Sequence, residues 1–511
     1  MFGWGFLLTY SEPSWVSQMS PIKSSQIASK LSAELSGDSE SVIVSVSHDS
    51  RKCGAGSLFA AVRGATMDGH RFIPDVMRAG AVGVMSELDR PENFTGVWLK
   101  VKEIRRALAV AASFVFNEPS RGLDLVGITG TNGKTTTSYL CFDALRACGR
   151  IGAMLTTVEY RVGDVSEEAT RTTPEASDTN EFLRRSVELG CTFAVMESSS
   201  QALHLHRCDQ LFYKVAVFTN LTRDHLDYHG TMDDYFDAKK MLFDGRLGEP
   251  PTVAVINIDD EYGARLVEEL SGTSTRTITY ALNSDADLRA TDIDISLIGG
   301  TSFSLSVGGV NHRVNSPLVG IPHVYNTLAA LGTVLALGCD MADAVRGISS
   351  CKGAPGRFER VENSKGLAVV VDYAHTDDAL QNTISTARRL TGGRVITVFG
   401  CGGDRDAGKR APMGEVAGRL SDFVIATSDN PRSEEPLKIL EDIEKGLIAS
   451  DANYELIPDR KSAIAKAISS ARSGDVVLIC GKGHETYQIL GSETVHFDDR
   501  EVAKEILESR L

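Results

Sequence analysis

A glycine-rich turn between an apolar strand and a helical segment constrains the fold of this chain more than any other stretch. Leu125 to Ile128 is typical of a buried strand, and after Lys134 apolar residues recur at helical spacing until Gly149. Backbone N–H groups of such a turn, with the positive end of the following helix, bind phosphate. The pattern therefore predicts an α/β fold with a nucleotide phosphate site. The turn contains Thr129, Gly130, Thr131, Asn132, Gly133, Lys134, Thr135 and Thr136.

Two side chains of this turn have specific expected roles. Lys134 would neutralise the terminal phosphates of ATP, and Thr135 lies where Mg²⁺ is usually held. The spacing departs from the standard phosphate loop, because Ile128 stands five residues before Gly133 and the glycines fall at 127 and 130. An ordinary glycine-rich turn is the alternative. The strand, the helix and Gly-Lys-Thr together favour an ATP site.

Charge and cysteine content narrow the class of protein. A net charge of −15 without a concentrated basic run argues against nucleic acid or an anionic membrane as the main partner. The nine cysteines are scattered and never form Cys-x-x-Cys, which is typical of a reduced, cytosolic protein without structural zinc. Met1 to Tyr10 is apolar but too short to span a bilayer. We expect an irregular extension there, with Met19 as an alternative start, and no membrane insertion.

The 511 residues are too many for one core and divide by pattern. We expect an irregular extension at 1–19, a small α/β domain at 20–106, an ATP-binding domain at 107–354 and a third domain at 355–511. In the third domain, apolar strands alternate with helical stretches. Such alternation predicts a parallel sheet with helices on both faces.

Polar clusters follow several of the predicted strands, where ligands bind in sheets of this kind. Glu197 follows Phe193 to Met196, and a carboxylate there can hold Mg²⁺. Residues 220–229, which include His225, follow another strand and are dense in titratable side chains. Four further predicted strands are followed by segments with charged side chains: 372–375, 400–406, 429–432 and 481–485. Together they predict a binding rim in the third domain.

In their order along the chain, these motifs resemble those of the ATP-dependent Mur ligases of peptidoglycan synthesis. The similarity runs from about Asp49 to Arg500 and is greatest to the members that add the third residue of the stem peptide. The matching segments are Thr129 to Thr136, Thr219 to His229, Gly353 to Arg357, Asp372 to Thr376, Gly400 to Arg410, Asp429 to Arg432 and Gly481 to Glu485.

The resemblance implies three α/β domains and a defined reaction. The three domains are a small N-terminal UDP-binding domain, a central domain with a parallel sheet like that of P-loop ATPases, and a C-terminal domain with a Rossmann-like doubly wound sheet. ATP and Mg²⁺ would phosphorylate the D-glutamyl γ-carboxylate of a UDP-N-acetylmuramoyl dipeptide. An amine of meso-diaminopimelate would then attack the acyl phosphate. A cytoplasmic monomer is expected.

The resemblance also implies roles for individual residues. The UDP-substrate would be bound by the turn 65–67 and by Ser50, Thr172, Thr173, Ser199 and Arg207. Asn326 and Arg357 would join the phosphate loop in binding ATP. The catalytic residues would be Lys134, Glu197, His225 and Lys239. The metal would be held by Thr135, Glu197, His225 and Lys239 as a carbamate. From spacing alone, Lys239 is interpreted as a solvated helix residue.

The amino-acid site implied by the resemblance contains Arg405, Asp429, Asn430, Pro431, Arg432, Gly481 and Glu485. Diaminopimelate differs from lysine by one distal carboxylate, which the planar guanidinium of Arg432 can bind through two hydrogen bonds. With lysine, Arg432 would be left unpaired, and this penalises the wrong substrate.

Several positions depart from the family pattern, and several alternatives stay open. Gln201 replaces a histidine, Leu205 a glutamine, His323 the first asparagine of an Asn-x-x-Asn pair, and Asp377 a proline. The alternatives are an L-lysine-adding ligase, a folylpolyglutamate synthase and a non-catalytic nucleotide-binding scaffold.

Overall fold

The computed structural model describes residues 22–64, 67–297 and 299–509. The expected extension at 1–19 and most of the turn 65–67 therefore lie outside the described residues. Within the described part of the chain, no helix combines the length and apolarity needed to cross a bilayer.

The N-terminal part forms a five-stranded sheet in the order β2-β7-β6-β5-β4. Strands β4 to β7 run parallel, and β2 pairs antiparallel with β7. Consecutive residues of the parallel strands enter two cores: Leu58 and Leu99 contribute to one, whereas Phe59 and Trp98 contribute to the other. Both faces of the sheet are therefore covered. The elements are β1 Ile22–Lys23, α1 Ser24–Leu31, β2 Glu34–Ser36, β3 Val42–Ile43, β4 Ser45–Ser47, β5 Ser57–Ala60, α2 Ile73–Arg78, β6 Gly83–Ser86, β7 Val97–Lys100 and α3 Ile104–Val115.

The central part forms an eleven-stranded sheet in the order β11-β10-β9-β12-β8-β13-β14-β15-β16-β17-β18. The phosphate-loop strand β8 lies between β12 and β13, with which it runs parallel. The first elements are β8 Asp124–Thr129, α4 Lys134–Ala147, β9 Gly152–Leu155, β10 Glu159–Val162, β11 Val165–Glu168, α5 Ala176–Glu188, β12 Phe193–Glu197, α6 Ser200–His204, β13 Val215–Phe218 and α7 Leu226–His229. The remaining elements are α8 Met232–Lys240, β14 Val253–Asn257, α9 Glu261–Leu270, β15 Arg276–Ala281, β16 Leu288–Ser296, β17 Gly300–Val307, β18 Val310–Ser316, α10 Ile321–Ala336 and α11 Met341–Ser350.

The central sheet is parallel at its centre, as expected, and antiparallel at both edges. Strands β16 to β18 pair antiparallel, as do β9 to β11. Short connections cause this, because a tight turn can join only antiparallel neighbours. Between β17 and β18 the turn is Gly308-Gly309, both at positive φ. The parallel centre still brings the carboxyl ends of β8, β12 and β13 together at one edge.

The C-terminal part forms a six-stranded sheet in the order β19-β20-β24-β21-β22-β23. All its pairings are parallel except that of the short edge strand β19, as the alternation of strands and helices predicts. Separate cores cover its two faces. The elements are β19 Glu359–Arg360, β20 Ala368–Asp372, α12 Asp377–Leu390, β21 Val395–Phe399, α13 Arg410–Leu420, β22 Phe423–Ala426, α14 Pro436–Ala449, β23 Tyr454–Leu456, α15 Arg460–Ser470, β24 Val476–Cys480, β25 Tyr487–Leu490, β26 Glu493–His496 and α16 Asp499–Glu508.

Candidate active site

Two glycines of the phosphate loop occupy positions that no other residue fits. Gly130 has a φ of 147°, and a Cβ there would lie 1.9 Å from the Thr219 hydroxyl oxygen. Gly133 has a φ of 87°, and its Cβ would lie 2.4 Å from the amide oxygen of Asn326. The loop therefore lies tightly against the ends of neighbouring elements, and Asn326 is part of its wall.

The segment that follows β13 holds the phosphate loop in place. The N–H of Thr131 donates to the Asn220 carbonyl at 2.8 Å, and the N–H of Asn132 donates to the Asn220 side-chain oxygen at 2.9 Å. The Thr219 hydroxyl donates to the Asn132 carbonyl at 2.7 Å. These bonds fix the loop before any ligand is bound.

Two lysines meet at this loop. The Nζ of Lys134 donates to the carbonyls of Gly130 and Thr131, both at 2.9 Å, and the Nζ of Lys239 donates to the Gly130 carbonyl at 2.8 Å. Desolvation lowers the pKa of Lys134, while the nearby Glu197 opposes this shift. Burial, reinforced by Lys134, lowers the pKa of Lys239 well below its ordinary value. The interpretation of Lys239 as a solvated residue was wrong, because its side chain is buried.

The carboxylate of Glu197 is buried and only half satisfied. Its Oε1 accepts from the backbone N–H of Thr157 at 2.8 Å and from the Thr157 hydroxyl at 3.2 Å. Its Oε2 is buried without a hydrogen-bond partner. A buried carboxylate oxygen of this kind is costly unless a cation or donor completes it. Glu197 therefore fits a bound cation.

A cavity of about 520 Å³ adjoins these groups. Thr135 and Thr136 line it together with most of the phosphate loop, Glu197 and Arg357. His225 also lines it, half-exposed and in the left-handed region at a φ of 50°, with its Nε2 3.5 Å from Asp224. The structure thus brings most of the expected ATP residues to one space, but Gly130 and Asn326 do not line it. Within the described residues, no three His, Cys, Asp or Glu side chains converge to hold a metal unaided.

The same cavity contains most of the expected UDP-substrate residues. Thr172, Thr173, Ser199, Gln201 and Arg207 line it. The Thr173 hydroxyl donates to the Glu197 carbonyl at 2.8 Å, so the two expected sites share a wall. Leu205, which replaces a family glutamine, is not among the lining residues.

Ser50 lies apart from this cavity. It starts a short 3₁₀ turn in the N-terminal part, beside His48, whose Nδ1 is 3.0 Å from the Ser177 hydroxyl, and Lys52, which pairs with Asp178 at 2.8 Å. These contacts seat the turn on α5, which follows Thr172 and Thr173 in the chain. Ser50 thus lies near the segment that joins Thr172 and Thr173 to α5, but it does not line the cavity.

Sequence reasoning missed a cluster of three arginines on one buried carboxylate. Glu175 pairs with Arg105 at 3.0 Å, with Arg171 at 3.3 Å and with Arg207 at 3.0 Å. Arg171 and Arg207 also line the cavity, and the Nε of Arg207 is buried without a partner. Because one carboxylate cannot balance three guanidiniums, this wall of the cavity attracts anions. Thr157 was also missed, although it is the second residue after strand β9.

His323 lies near the start of α10, three residues before Asn326. Its Nδ1 is buried without a hydrogen-bond partner, and burial lowers its pKa to about 4. His323 is therefore neutral at physiological pH, and it does not line the cavity. Asp377, which replaces a proline of the family pattern, is the first residue of α12. A carboxylate at this position interacts favourably with the helix dipole.

A second cluster forms at the strand ends of the C-terminal sheet. The side-chain NH₂ of Asn430 donates to Glu485 Oε2 at 2.8 Å. Arg432 has a φ of 52°, and its Nη1 donates to the Gly403 carbonyl at 2.8 Å. A Cβ on Gly481 would lie 2.7 Å from Asp429. The loops 429–432 and 481–485 therefore form one packed group, with Pro431 between Asn430 and Arg432 and with Arg405 exposed at its rim.

A buried ion pair supports this cluster from below. Arg460 and Asp499 are fully buried and 2.7 Å apart. Arg460 also donates to the carbonyls of Ser428 at 3.3 Å and Cys480 at 3.0 Å. These carbonyls immediately precede the two loops, so Arg460 fixes the spacing between them.

The two clusters are connected through Arg357 but do not share a cavity. The Arg357 guanidinium lies 4.9 Å from the Tyr373 ring centroid, and the Tyr373 ring lies 4.8 Å from that of His484. Gly356 contacts the backbone of Gly483 so closely that a Cβ would lie 2.1 Å away. Arg357 lines the first cavity, whereas none of the expected amino-acid residues does.

Comparison with known proteins identifies the family. Three family models match in order: Mur ligase family, catalytic domain, over residues 42–115; Mur ligase middle domain over 128–334; and Mur ligase, glutamate ligase domain, over 356–483. A protein of Solibacter usitatus named "UDP-N-acetylmuramoyl-L-alanyl-D-glutamate--2,6-diaminopimelate ligase" is 48% identical over 91% of this chain and 93% of its own length.

Solved structures show the same similarity. One, titled as the structure of a ligase of that same name, is 31% identical and covers 96% of this chain and 99% of its own, with a TM-score of 0.71. MurF ligase from Thermotoga maritima in complex with ADP is 21% identical and covers 91% of this chain and 98% of its own, with a TM-score of 0.58. The second similarity concerns the fold alone.

Proposed function

The chain belongs to the Mur ligase family, and we propose that it joins meso-diaminopimelate to UDP-N-acetylmuramoyl-L-alanyl-D-glutamate with conversion of ATP to ADP and phosphate. The observation that supports this most strongly is the half-satisfied Glu197 carboxylate in a cavity shared by the phosphate loop and by Thr172, Thr173 and Arg207. The cavity would thus place ATP and a carboxylate substrate side by side.

The first step transfers the γ-phosphoryl group to the D-glutamyl carboxylate. One carboxylate oxygen forms a bond to phosphorus as the bond to the ADP oxygen breaks, and this gives an acyl phosphate. Lys134 lies against the loop that would hold the phosphates, where its ammonium would offset the charge that spreads over the phosphoryl oxygens. The loop needs no rearrangement, because Asn220 already holds it.

The residues present fit Mg²⁺, which takes oxygen ligands and keeps part of its shell as water and phosphate. Glu197 Oε2 supplies a buried anionic oxygen, Thr135 a hydroxyl and His225 a side chain on the cavity wall. When bound, the ion would draw charge away from the transferred phosphoryl group.

Lys239 would serve this site as a carbamate. An amine must be neutral to attack CO₂, and the lowered pKa of Lys239 favours the neutral form. As an amine, Lys239 adds a second positive charge beside Lys134, whereas a carbamate would convert that charge into an anionic oxygen ligand. The change would suit a second metal ion near the γ-phosphate.

The UDP-substrate would be bound along the wall that carries Thr172, Thr173, Ser199 and Arg207, with Ser50 towards its uridine end. The excess of guanidinium groups around Glu175 suits the negative charges of this substrate. Asn326 and Arg357 would contact the nucleotide from the opposite side of the loop.

The second step joins the amino acid. The neutral amine of diaminopimelate attacks the carbonyl carbon, the bond to the phosphate oxygen breaks, and phosphate leaves as the amide forms. Because the amino-acid cluster lies outside the first cavity, movement of the C-terminal sheet towards the central sheet would bring the amine to the acyl phosphate. Closure would also exclude water, which otherwise hydrolyses the intermediate.

Arg432 would select the amino acid. Its Nη1 is held by Gly403, and the structure gives its Nε and Nη2 no partner among the described residues. These two donors suit the distal carboxylate of diaminopimelate, supported by Asn430, while Glu485 and Gly481 would receive the amino and carboxylate groups at that same end, with Asp429 beside Asn430 and Arg405 at the rim. An L-lysine-adding ligase is disfavoured by the same argument.

We also propose the division into domains at 20–106, 107–354 and 355–511, a monomeric state and a cytoplasmic location. The three large sheets of the described residues each fall within one of these ranges, which supports the division, but the boundary at 106/107 lies inside α3, whose buried face belongs to the N-terminal core.

Phosphate release tests the proposed function directly. ATP, Mg²⁺ and the UDP-muramoyl dipeptide should give phosphate at a steady rate only when diaminopimelate is added. Equal rates with L-lysine would favour the lysine-adding alternative. Activity with folate and glutamate, but without the UDP-substrate, would favour a folylpolyglutamate synthase. No release under any condition would favour a non-catalytic scaffold.

A further inference from the structure

Lys482 is a buried cation within the amino-acid cluster that the proposed function does not use. Its side chain is fully buried. Its Nζ donates to Glu485 Oε2 at 3.0 Å and to the Tyr487 carbonyl, and lies 3.5 Å from Asn430 Oδ1. A buried ammonium needs such partners, because its desolvation is otherwise prohibitive.

The two carboxylate oxygens of Glu485 accept different numbers of hydrogen bonds. Oε2 accepts from both Lys482 and the side-chain NH₂ of Asn430, at 3.0 and 2.8 Å. Oε1 has no hydrogen-bond partner among the described residues, and 18% of the side chain is exposed. Two donors on one oxygen fix the carboxylate plane and leave the other oxygen free for a ligand.

Lys482 also orders Asn430. The Asn430 Oδ1 accepts from the Ile489 N–H at 2.9 Å and faces the Lys482 ammonium. With both donors at Oδ1, the amide has only one sensible orientation, in which its NH₂ points at Glu485. The three side chains thus form one network with a single hydrogen-bonding pattern.

We propose that Lys482 is a positioning residue for the amino-acid substrate. It holds Glu485 Oε2 and the Asn430 amide so that Glu485 Oε1 receives the distal ammonium of diaminopimelate. This inference rests on the proposed function. Lys482 itself does not touch the substrate, because its three protons are directed at protein acceptors.

The test replaces Lys482 with methionine, which keeps the unbranched apolar stem of the side chain and removes its charged end. Lys482→Met should raise the KM for diaminopimelate about tenfold or more, because Glu485 loses the donor that orients it. The KM values for ATP and the UDP-substrate should change by less than about twofold, since their cavity contains none of these residues. Equal changes for all three substrates would overturn the proposal.

Lys466→Met is the matched control. Lys466 also lies in the C-terminal part and pairs with one glutamate, Glu455, at 3.0 Å, but both side chains are more than two-fifths exposed. It should leave every KM unchanged. If it raises the KM for diaminopimelate as Lys482→Met does, the effect is one of net charge and the proposal fails.

A double substitution separates positioning from folding. Lys482→Met alone leaves the Glu485 charge without its partner and can destabilise the fold, whereas Lys482→Met with Glu485→Gln leaves no unpaired charge. If Lys482 acts through Glu485, adding Lys482→Met to Glu485→Gln should change the KM for diaminopimelate by less than about twofold. A further tenfold rise would contradict the proposal. Failure of the proposed function is distinct, since the unmodified protein would then not use diaminopimelate at all.

Discussion

Replacement of Glu197 by glutamine should separate metal-nucleotide binding from folding. The amide oxygen of glutamine can accept the two Thr157 hydrogen bonds that Glu197 Oε1 accepts now. The NH₂ group then occupies the position of Oε2, which is buried and has no partner. Without ligand, Glu197→Gln should melt close to the temperature of the parent, because removal of a buried carboxylate oxygen without a hydrogen-bond partner offsets the lost attraction to Lys134.

The loss of metal-nucleotide binding should be seen when Mg²⁺ and ATP are added. At a hundred times Kd, ligand stabilises the parent by about 2.7 kcal/mol, or roughly 5 to 10 °C in melting temperature. Loss of an anionic metal ligand should weaken binding about a hundredfold, so that the same concentration gives the variant only about 0.4 kcal/mol, near 1 °C. Thermal denaturation with and without Mg·ATP measures both quantities.

The unliganded melting temperature decides what this result means. A variant that keeps the parent's ligand-induced shift and turnover would refute the assignment of Glu197 to the metal. A variant that melts several degrees lower without ligand would show that the Glu197 charge supports the fold instead. A matched control is Glu455→Gln, which removes an exposed carboxylate and should leave both values unchanged.

Three further substitutions test the other parts of the site. Lys134→Ala should abolish turnover and leave the circular dichroism spectrum intact, because its side chain donates to carbonyls of the loop it serves; near-normal activity would argue against an ATP site there. Lys239→Ala should be nearly inactive, partly rescued by short carboxylates, and should lack the carbamate carbon signal that the parent gives in carbon-13 NMR with labelled bicarbonate. An active parent without that signal would contradict the carbamate. Arg432→Ala should raise the KM for diaminopimelate at least about tenfold while the KM for ATP stays constant, since a bidentate charged pair is lost; unchanged use of diaminopimelate would show that another residue selects the substrate.

The strand, turn and helix of the expected phosphate loop could be predicted from the sequence because their signals are local. Strand, turn and helix lie within about two dozen residues. The contacts that require glycine at 130 and 133 were not predictable in this way, because they come from Thr219 and Asn326, which are distant in the sequence. Strand-end reasoning also located Glu197. Applied to every strand, it would have found Thr157, which follows β9 and holds the Glu197 carboxylate.

Burial of charged side chains was harder to predict, because it depends on contacts between distant segments. Lys239 stands four residues after Tyr235 and three after Phe236, on the buried face of α8, and this spacing was a usable signal. Lys482 has no such signal, since only the approach of the 429–432 loop encloses it. The arginines around Glu175 come from three separate segments, so their convergence is a property of the fold.

The central claim is that the chain activates a carboxylate by phosphorylation before an amide forms. Labelling the D-glutamyl γ-carboxylate of the UDP-muramoyl dipeptide with oxygen-18 tests it most directly, because the oxygen that attacks phosphorus leaves with the phosphate. After turnover with ATP, Mg²⁺ and diaminopimelate, mass spectrometry should find one labelled oxygen in each phosphate released and one retained in the amide product. Phosphate without label, formed alongside the amide, would contradict an acyl phosphate and the account of this site.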